Sequence, residues 1–537
     1  MLSRREILAG GAVSLVLVGT GSAARADAAA GDAAFRALID RLAATPPADE
    51  TPMGAAARRA LAAERLAALA ATDPKTLSPA ARLEYGAITG ALEVQAALAR
   101  FEFGAAGGPP SPYVVSQRAG THLSLSAPPS PDKADGIARD LDGETERIRA
   151  DAAKGVVAPA YLLAAWSERL GATRAKLADT PKVADALARQ IDALESLKVQ
   201  AGTVPGVWRL KHGADYYALA LRAGCGLATA PAKVHRDGIE KAAALAARAD
   251  RIFKSIGMSR GGVGERLHAL ARLEPYLYAD SDAGRAEALA DMNAQLARAI
   301  GALPRAFAGL PHTEVSVKLA GTGRQGYREA PSADGIRPGA YYVDLRDIRR
   351  RPRWSLPTVV HHETLPGHLL QMALQERAHA PALRLALAPP AYFEGWAIYA
   401  EMLAGELGLM EGDPLAELGL IQSVLVRLAR QIVDTGIHHL RWSRQRAIAE
   451  FATISGDAPE AFEVEVDRIS VQPGLTPGHA LGWSAILDAR ARAKRALGGR
   501  FSLAAFHDAV LRRGALPLGV LGSAAEFYIS EAKARLP

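Results

Sequence analysis

The stretch Val360-His361-His362-Glu363-Thr364-Leu365-Pro366-Gly367-His368 gathers three histidines and a glutamate into nine residues. Imidazole and carboxylate are the side chains that hold a catalytic divalent ion. Two histidines, one carboxylate and an open position make one well-used zinc set. In the H-E-x-x-H pattern the histidines are four apart, and a helix turning about 100° per residue brings both to one side. Here His362 and His368 are six apart, which leaves them roughly 120° apart on a regular helix. Pro366 removes a backbone donor and clashes with the preceding turn, while Gly367 tolerates dihedrals closed to other residues. A bulge or break there lets His368 swing back toward His362. The spacing is compatible with chelation and does not by itself establish it. His361 and His368 share a face but lie ~10 Å apart along a straight axis. His361 therefore reads either as support for a ligand or as helix-start packing.

A third ligand has to come from another element, and Glu394 in "YFEGWAIYAEML" (Tyr392 to Leu403) is the best candidate. An acid in so apolar a helix costs several kcal/mol unless it is paired or binds a cation. The competing reading is a helix-start carboxylate near the positive dipole end, after Pro389-Pro390. Glu401, seven residues on, is placed to orient a ligand histidine. Glu363, next to the first ligand, is the natural general base for a water acidified by the metal.

The elements that must position these groups are mostly helices. The chain of 537 residues is rich in Ala, Leu and Arg with few aromatics, which favours helix and allows two or three core-sized units. Amphipathic segments recur at 136–155, 159–179, 182–200, 213–223, 230–257, 263–274 and 281–303, and again at 356–380, 389–408, 414–453, 458–468, 477–497, 502–513 and 520–535. Between the two sets, "HTEVSVKLA" (His312 to Ala320) and "GAYYVDL" (Gly339 to Leu345) read as short strands. The second is expected to be an edge strand able to align an extended substrate. The fold expected is mainly α, with a small sheet beside the histidine-bearing helix.

The first residues read as an export leader, with a basic start, a mild apolar run and Ala24-Arg25-Ala26 as an A-x-A cleavage pattern. Arg4-Arg5 within Ser-Arg-Arg-x-Ile-Leu matches a twin-arginine signal, a route for already folded proteins. An ordinary leader with two arginines is the alternative. The expected location is periplasmic or secreted, with no stable membrane insertion after cleavage. Cys225 is the only cysteine, which excludes an internal disulfide and a thiolate metal site. The net charge of +7 comes without an alternating basic and aromatic run, so nucleic acid is not an expected partner. Arg349-Arg350-Arg351-Pro352-Arg353 reads as a solvated turn or a surface for anions.

The chain resembles the bacterial domain-of-unknown-function 885 family, placed among zincin-like metallopeptidases. The matching blocks include "GYREAPSADGIRPGAYYVDLRD", "LPTVVHHETLPGHLLQ", "FEGWAIYAE", "VDTGIHHLRWSRQRAI" and "VDRISVQPGLTPGHALGW", spread from about Lys211 to the C-terminus. The resemblance implies a large helical zincin-like fold, with His362, His368 and Glu394 as ligands of Zn2+ (another divalent ion being possible) and Glu363 as base. Leu369 stands where relatives often carry a further histidine. His479 and Trp483 stand where they carry Gln and Tyr, so His479, Tyr341 and Tyr342 become the candidates to steady an oxyanion. The expected organisation is a leader over 1–26, a helical region over 27–304 and a catalytic region over 305–537, packed as one unit around a central cleft.

Two further groups are candidates. Asp434 and His438, four apart on a helix, can bond to one another and donate to an oxyanion, or form a structural pair. Arg468 and Arg337 compete to bind a substrate carboxylate, with an ordinary ion pair as the alternative for Arg468. Ser332 and Asp334 read as turn formers. The function expected is an exported metal-dependent hydrolase of peptide or related amide bonds. The alternative is a periplasmic binding module with a vestigial metal site, which would have no use for Glu363.

Overall fold

The computed structural model describes residues 28–44, 49–177, 179–310, 314–321, 325–332 and 334–534. The expected leader and His312 lie outside the described residues. Helices dominate, and prolines punctuate them: Pro52, Pro79, Pro131, Pro181, Pro231, Pro390, Pro414 and Pro477 each open one. That first-turn position is where a missing N–H does no harm and a fixed φ helps.

The elements around the site are α1 (Asp282–Ala302), β1 (Val315–Leu319), β2 (Tyr327–Glu329), β3 (Gly339–Val343), α2 (Leu356–Glu363), α3 (His368–Arg377), α4 (Pro390–Glu406), α5 (Pro414–His438), α6 (Glu463–Val471) and α7 (Pro477–Leu497). The main apolar core runs through this set and takes in residues from Ala242 to Ile529. A second cluster joins Phe103 through Ala220 and reaches Val471 at the end of α6.

The sheet order is β1-β3-β2, with β3 parallel to β1 and antiparallel to β2. The strand expected at the edge, β3, is therefore the central one. Strand order is set by tertiary packing, which the alternation of residues within one strand does not encode. The outer side of β1 is covered at Val317, whose N–H and C=O both bond the Asn293 amide of α1 at 3.0 Å. The strand β2 was not expected at all. Its three residues are too few to display a period.

Two helix boundaries also depart from expectation. The segment 356–380 is divided into α2 and α3, and 414–453 is divided into α5 and a helix over Arg444–Ser455. The second break has Arg441 in the left-handed region, φ 62°. Among the described residues, no helix is long and apolar enough to cross a membrane.

Candidate metal centre

The interruption of α2 builds the site. The helix ends at Glu363, Thr364 leaves helical dihedrals (φ −111°, ψ −106°), and α3 begins at His368. Leu365–Pro366 is cis, and the Pro366 carbonyl accepts from Trp396 Nε1 at 2.9 Å. Gly367 closes the bend against the end of α2. A Cβ at that position would lie 2.0 Å from the His362 carbonyl oxygen and 2.3 Å from that of His361. Only glycine lets the chain pass so closely. The result turns the His362 and His368 rings toward each other, with centroids 4.9 Å apart and planes at 85°.

The carboxylate arrives on α4. Helices α4 and α7 touch through small residues: a Cβ on Gly395 would lie 2.4 Å from the Gly482 carbonyl carbon, and one on Gly482 would lie 2.0 Å from the Ala391 carbonyl oxygen. That approach brings Glu394 beside the histidines. Its Oε2 lies 3.6 Å from His362 Nε2 and its Oε1 lies 3.8 Å from His368 Nε2. One donor atom from each of the three residues falls within 4.8 Å of the others. Two nitrogens and an oxygen converging from three directions match the donor set and spacing of a catalytic zinc site.

The electrostatics fit a cation as well. Burial opposes a charge on His362, yet Glu394 and Glu401 on either side outweigh it and push its pKa up to about 9. The position attracts either a proton or a metal. Burial and the charge of His362 hold His368 well below the usual range. His368 Nε2 is buried with no hydrogen-bond partner, an orphan that a metal would satisfy. Burial works against ionisation of Glu394, but His479, His362 and His368 hold it well below the ordinary carboxylate range.

Behind the ligands, Glu401 is fully buried. Its Oε1 accepts from His362 Nδ1 at 2.7 Å, and its Oε2 accepts from the Thr358 hydroxyl. That bond fixes the tautomer and leaves His362 Nε2 to face Glu394. His361 points away and meets the Gln295 amide at 2.8 Å, so it packs α2 against α1.

Glu363 lies at the end of α2 with its carboxylate paired to Arg328 of β2, both side chains partly exposed at 20% and 31%. Tyr341 faces the same place. Burial, then the charge of Glu363, push its hydroxyl pKa up, so it remains a hydrogen-bond donor. His479 on α7 sits with Nδ1 3.8 Å from Glu394 Oε2 and without a hydrogen-bond partner at that atom. One turn further on, Trp483 also carries a buried Nε1–H that has none.

The structure thus brings together His362, His368, Glu394, Glu363, Tyr341 and His479, with Arg468 nearby. Four other candidates are corrected. Tyr342 points to the opposite face of β3, stacked on Tyr327 at 4.4 Å and bonded to Glu329 at 3.1 Å, as the strand's alternation requires once Tyr341 faces inward. His438 is buried with both nitrogens committed: Nδ1 accepts from Val207 N–H and Nε2 donates to the Ile469 carbonyl. Asp434 does not bond it. Instead the carboxyl accepts from Tyr217 Oη at 2.7 Å, Gly474 N–H at 3.1 Å and the Thr476 hydroxyl at 3.3 Å. Arg337 is exposed in the turn before β3, its N–H bonded to Ser332 Oγ, outside the cluster. Ser332 and Asp334 do form that turn.

Sequence reasoning missed Arg328, Arg427 and Arg430. The last two carried a legible signal, being charges one turn apart in the otherwise apolar "VLVRLARQIV" of α5.

A family model described as "Bacterial protein of unknown function (DUF885)" matches residues 44–524. A crystal structure described as a "putative lipoprotein" from Colwellia psychrerythraea is 27% identical, with a TM-score of 0.75 over 94% of this chain and 97% of its own. A second such structure, from Shewanella oneidensis, is 16% identical with a TM-score of 0.71, over 91% and 96%; it speaks for the fold alone. A carboxypeptidase from Pyrococcus furiosus reaches 13% identity and a TM-score of 0.41, too low to bear on either fold or function. No curated protein matches.

Proposed function

The chain belongs to the DUF885 family, and on that footing we propose that it is an exported metal-dependent hydrolase of peptide or related amide bonds. One observation carries the reading: His362, His368 and Glu394 converge within 4.8 Å with Glu363 adjacent in the chain. A purely structural site closes its coordination with four protein ligands, whereas three leave a place for water or substrate.

His362, His368 and Glu394 would hold a divalent ion of the zinc class, which would supply a polarising charge and acidify an attacking water. Glu363 is the residue that would take a proton from the attacking water and return it to the leaving nitrogen. Tyr341 and His479 are the nearby groups able to hydrogen-bond the oxygen that gains charge. Arg328 holds the Glu363 carboxylate toward β2. Among the described residues β2 pairs only with β3, so its outer edge is the one that would align an extended substrate. Export is supported by the twin-arginine pattern at Arg4-Arg5 and by the lipoprotein description of the Colwellia psychrerythraea structure.

The test is metal analysis of the purified protein, combined with a peptide-library digest read by mass spectrometry with and without chelator. About one equivalent of metal and chelator-sensitive cleavage are expected. Less than about a tenth of an equivalent, unchanged by added zinc, overturns the reading.

A further inference from the structure

A second group of charges stands beside the metal ligands, on α5 and α6. Arg430 Nε donates to Glu465 Oε1 at 2.7 Å, and Arg468 donates to the same carboxylate twice, at 3.0 and 2.5 Å. Two guanidiniums therefore share one carboxylate, and the trio keeps a net positive charge. Each arginine is gripped along one edge only. Among the described residues, the terminal nitrogens of Arg430 and Nη1 of Arg468 have no hydrogen-bond partner. The two side chains keep 23% and 19% exposure, so their free N–H groups face solvent. Arg427, one turn before Arg430 on α5, adds a third charge and is anchored by Ser423.

This cluster stands close to the metal centre: α5 packs against α2, which carries His362, against α7, which carries His479, and against α6, and Arg427 Nη2 lies 3.5 Å from His362 Nδ1. The charge of Arg430 acts on Glu394, and those of Arg427, Arg430 and Arg468 all act on His479. A guanidinium fork oriented from behind and open in front is the geometry that binds a carboxylate through paired, charge-assisted hydrogen bonds. Glu465 does the orienting, and the surplus positive charge calls for an anion in front.

We propose that Arg430 and Arg468 form a carboxylate subsite next to the metal centre, so that the preferred substrates carry a free carboxylate close to the bond that is cut. The proposal rests on the metallohydrolase reading. That carboxylate comes from a peptide's C-terminus or from an acidic side chain, and the two sources share one chemistry.

Calorimetric titration of the metal-loaded Glu363→Gln protein decides it without relying on turnover. Three ligands suffice: an apolar tripeptide with a free C-terminus, the same peptide amidated, and an amidated peptide carrying one glutamate. The free acid is expected to bind roughly ten- to a hundredfold tighter than its amide, the size of a lost charge-assisted pair. Recovery of affinity by the glutamate peptide would make the side chain an equal source, and no recovery would make the C-terminus the source. Arg468→Ala should erase the difference between acid and amide, while Arg468→Lys should restore part of it in a protein that unfolds at the same temperature. Equal affinity for acid and amide in the parent protein overturns the subsite, as does an acid preference untouched by both Arg468→Ala and Arg430→Ala. A protein that holds no metal yet prefers the free acid would overturn the hydrolase reading and leave the subsite standing.

Discussion

Glu401 Oε1 accepts a hydrogen bond from His362 Nδ1 at 2.7 Å, from a buried position two turns along α4 from the ligand carboxylate of Glu394. One helix thus supplies both a candidate ligand and the group that aims another. Removing the charge while keeping the shape, as in Glu401→Gln, should weaken metal binding by about ten- to a hundredfold. Competition with a chromophoric chelator measures it. Unchanged affinity would mean that the helix alone orients His362.

Gly367 is the tightest point of the bend. The two carbonyl oxygens that a Cβ would meet there, at 2.0 and 2.3 Å, are backbone atoms with no side chain to swing aside. Gly367→Ala should destabilise the protein by about 1–3 kcal/mol, the range for overpacking, and lower its metal content. Thermal unfolding with and without zinc separates the two effects. A variant of wild-type stability and full metal content would show that the bend can relax.

Glu363→Gln should retain the metal and lose at least about a hundredfold in turnover, the typical contribution of a positioned base. Arg328→Gln tests the partner on β2. It should also retain the metal and lower kcat about tenfold, with KM little changed, because it disorders the base without removing substrate contacts. A rise in KM at constant kcat would instead assign Arg328 to substrate binding.

Asp434 provides a pH-dependent reporter of the fold. Burial, opposed by the bonds from Tyr217, Gly474 and Thr476, pushes its pKa up to about 7. The unfolded chain releases this proton near 4, whereas the native protein keeps it until about 7. Between these values the unfolded state binds fewer protons, so this group's contribution to stability falls as pH rises, by at most about 1.4 kcal/mol per pH unit. The stability of wild type relative to Asp434→Asn should therefore decline from about pH 4 to about 7 and level off above. Chemical denaturation at several pH values gives the difference, and a flat difference would place Asp434 in an ionised state throughout.

The candidate ligands were legible because their chemistry is costly to hide. Glu394 and Glu401 are acids inside an apolar helix, and Pro366-Gly367 announces the break that the six-residue spacing of His362 and His368 requires. The same logic marks Arg427 and Arg430. What stayed illegible depends on which way a face turns. Tyr341 and Tyr342 alternate in any strand, yet only the packing of β3 against α3 decides which one meets Glu363. Asp434 and His438 share a helix face, but each has a closer partner on another element, Tyr217 and Ile469. Strand β2 and its Arg328 were out of reach because three residues make no pattern.

The contact between Gly395 and Gly482 has a consequence for how an ion arrives. Glu394 is placed by two helix backbones in direct contact, and His368 by a bend that glycine alone allows, so the ligand positions are inherited from the main chain. The ordering entropy of the site is met during folding, not during capture. Metal uptake should then be a fast, reversible loading of a finished protein, with little change in shape, and different divalent ions should exchange without refolding. An ion held here would be a passenger of this fold and not its organiser.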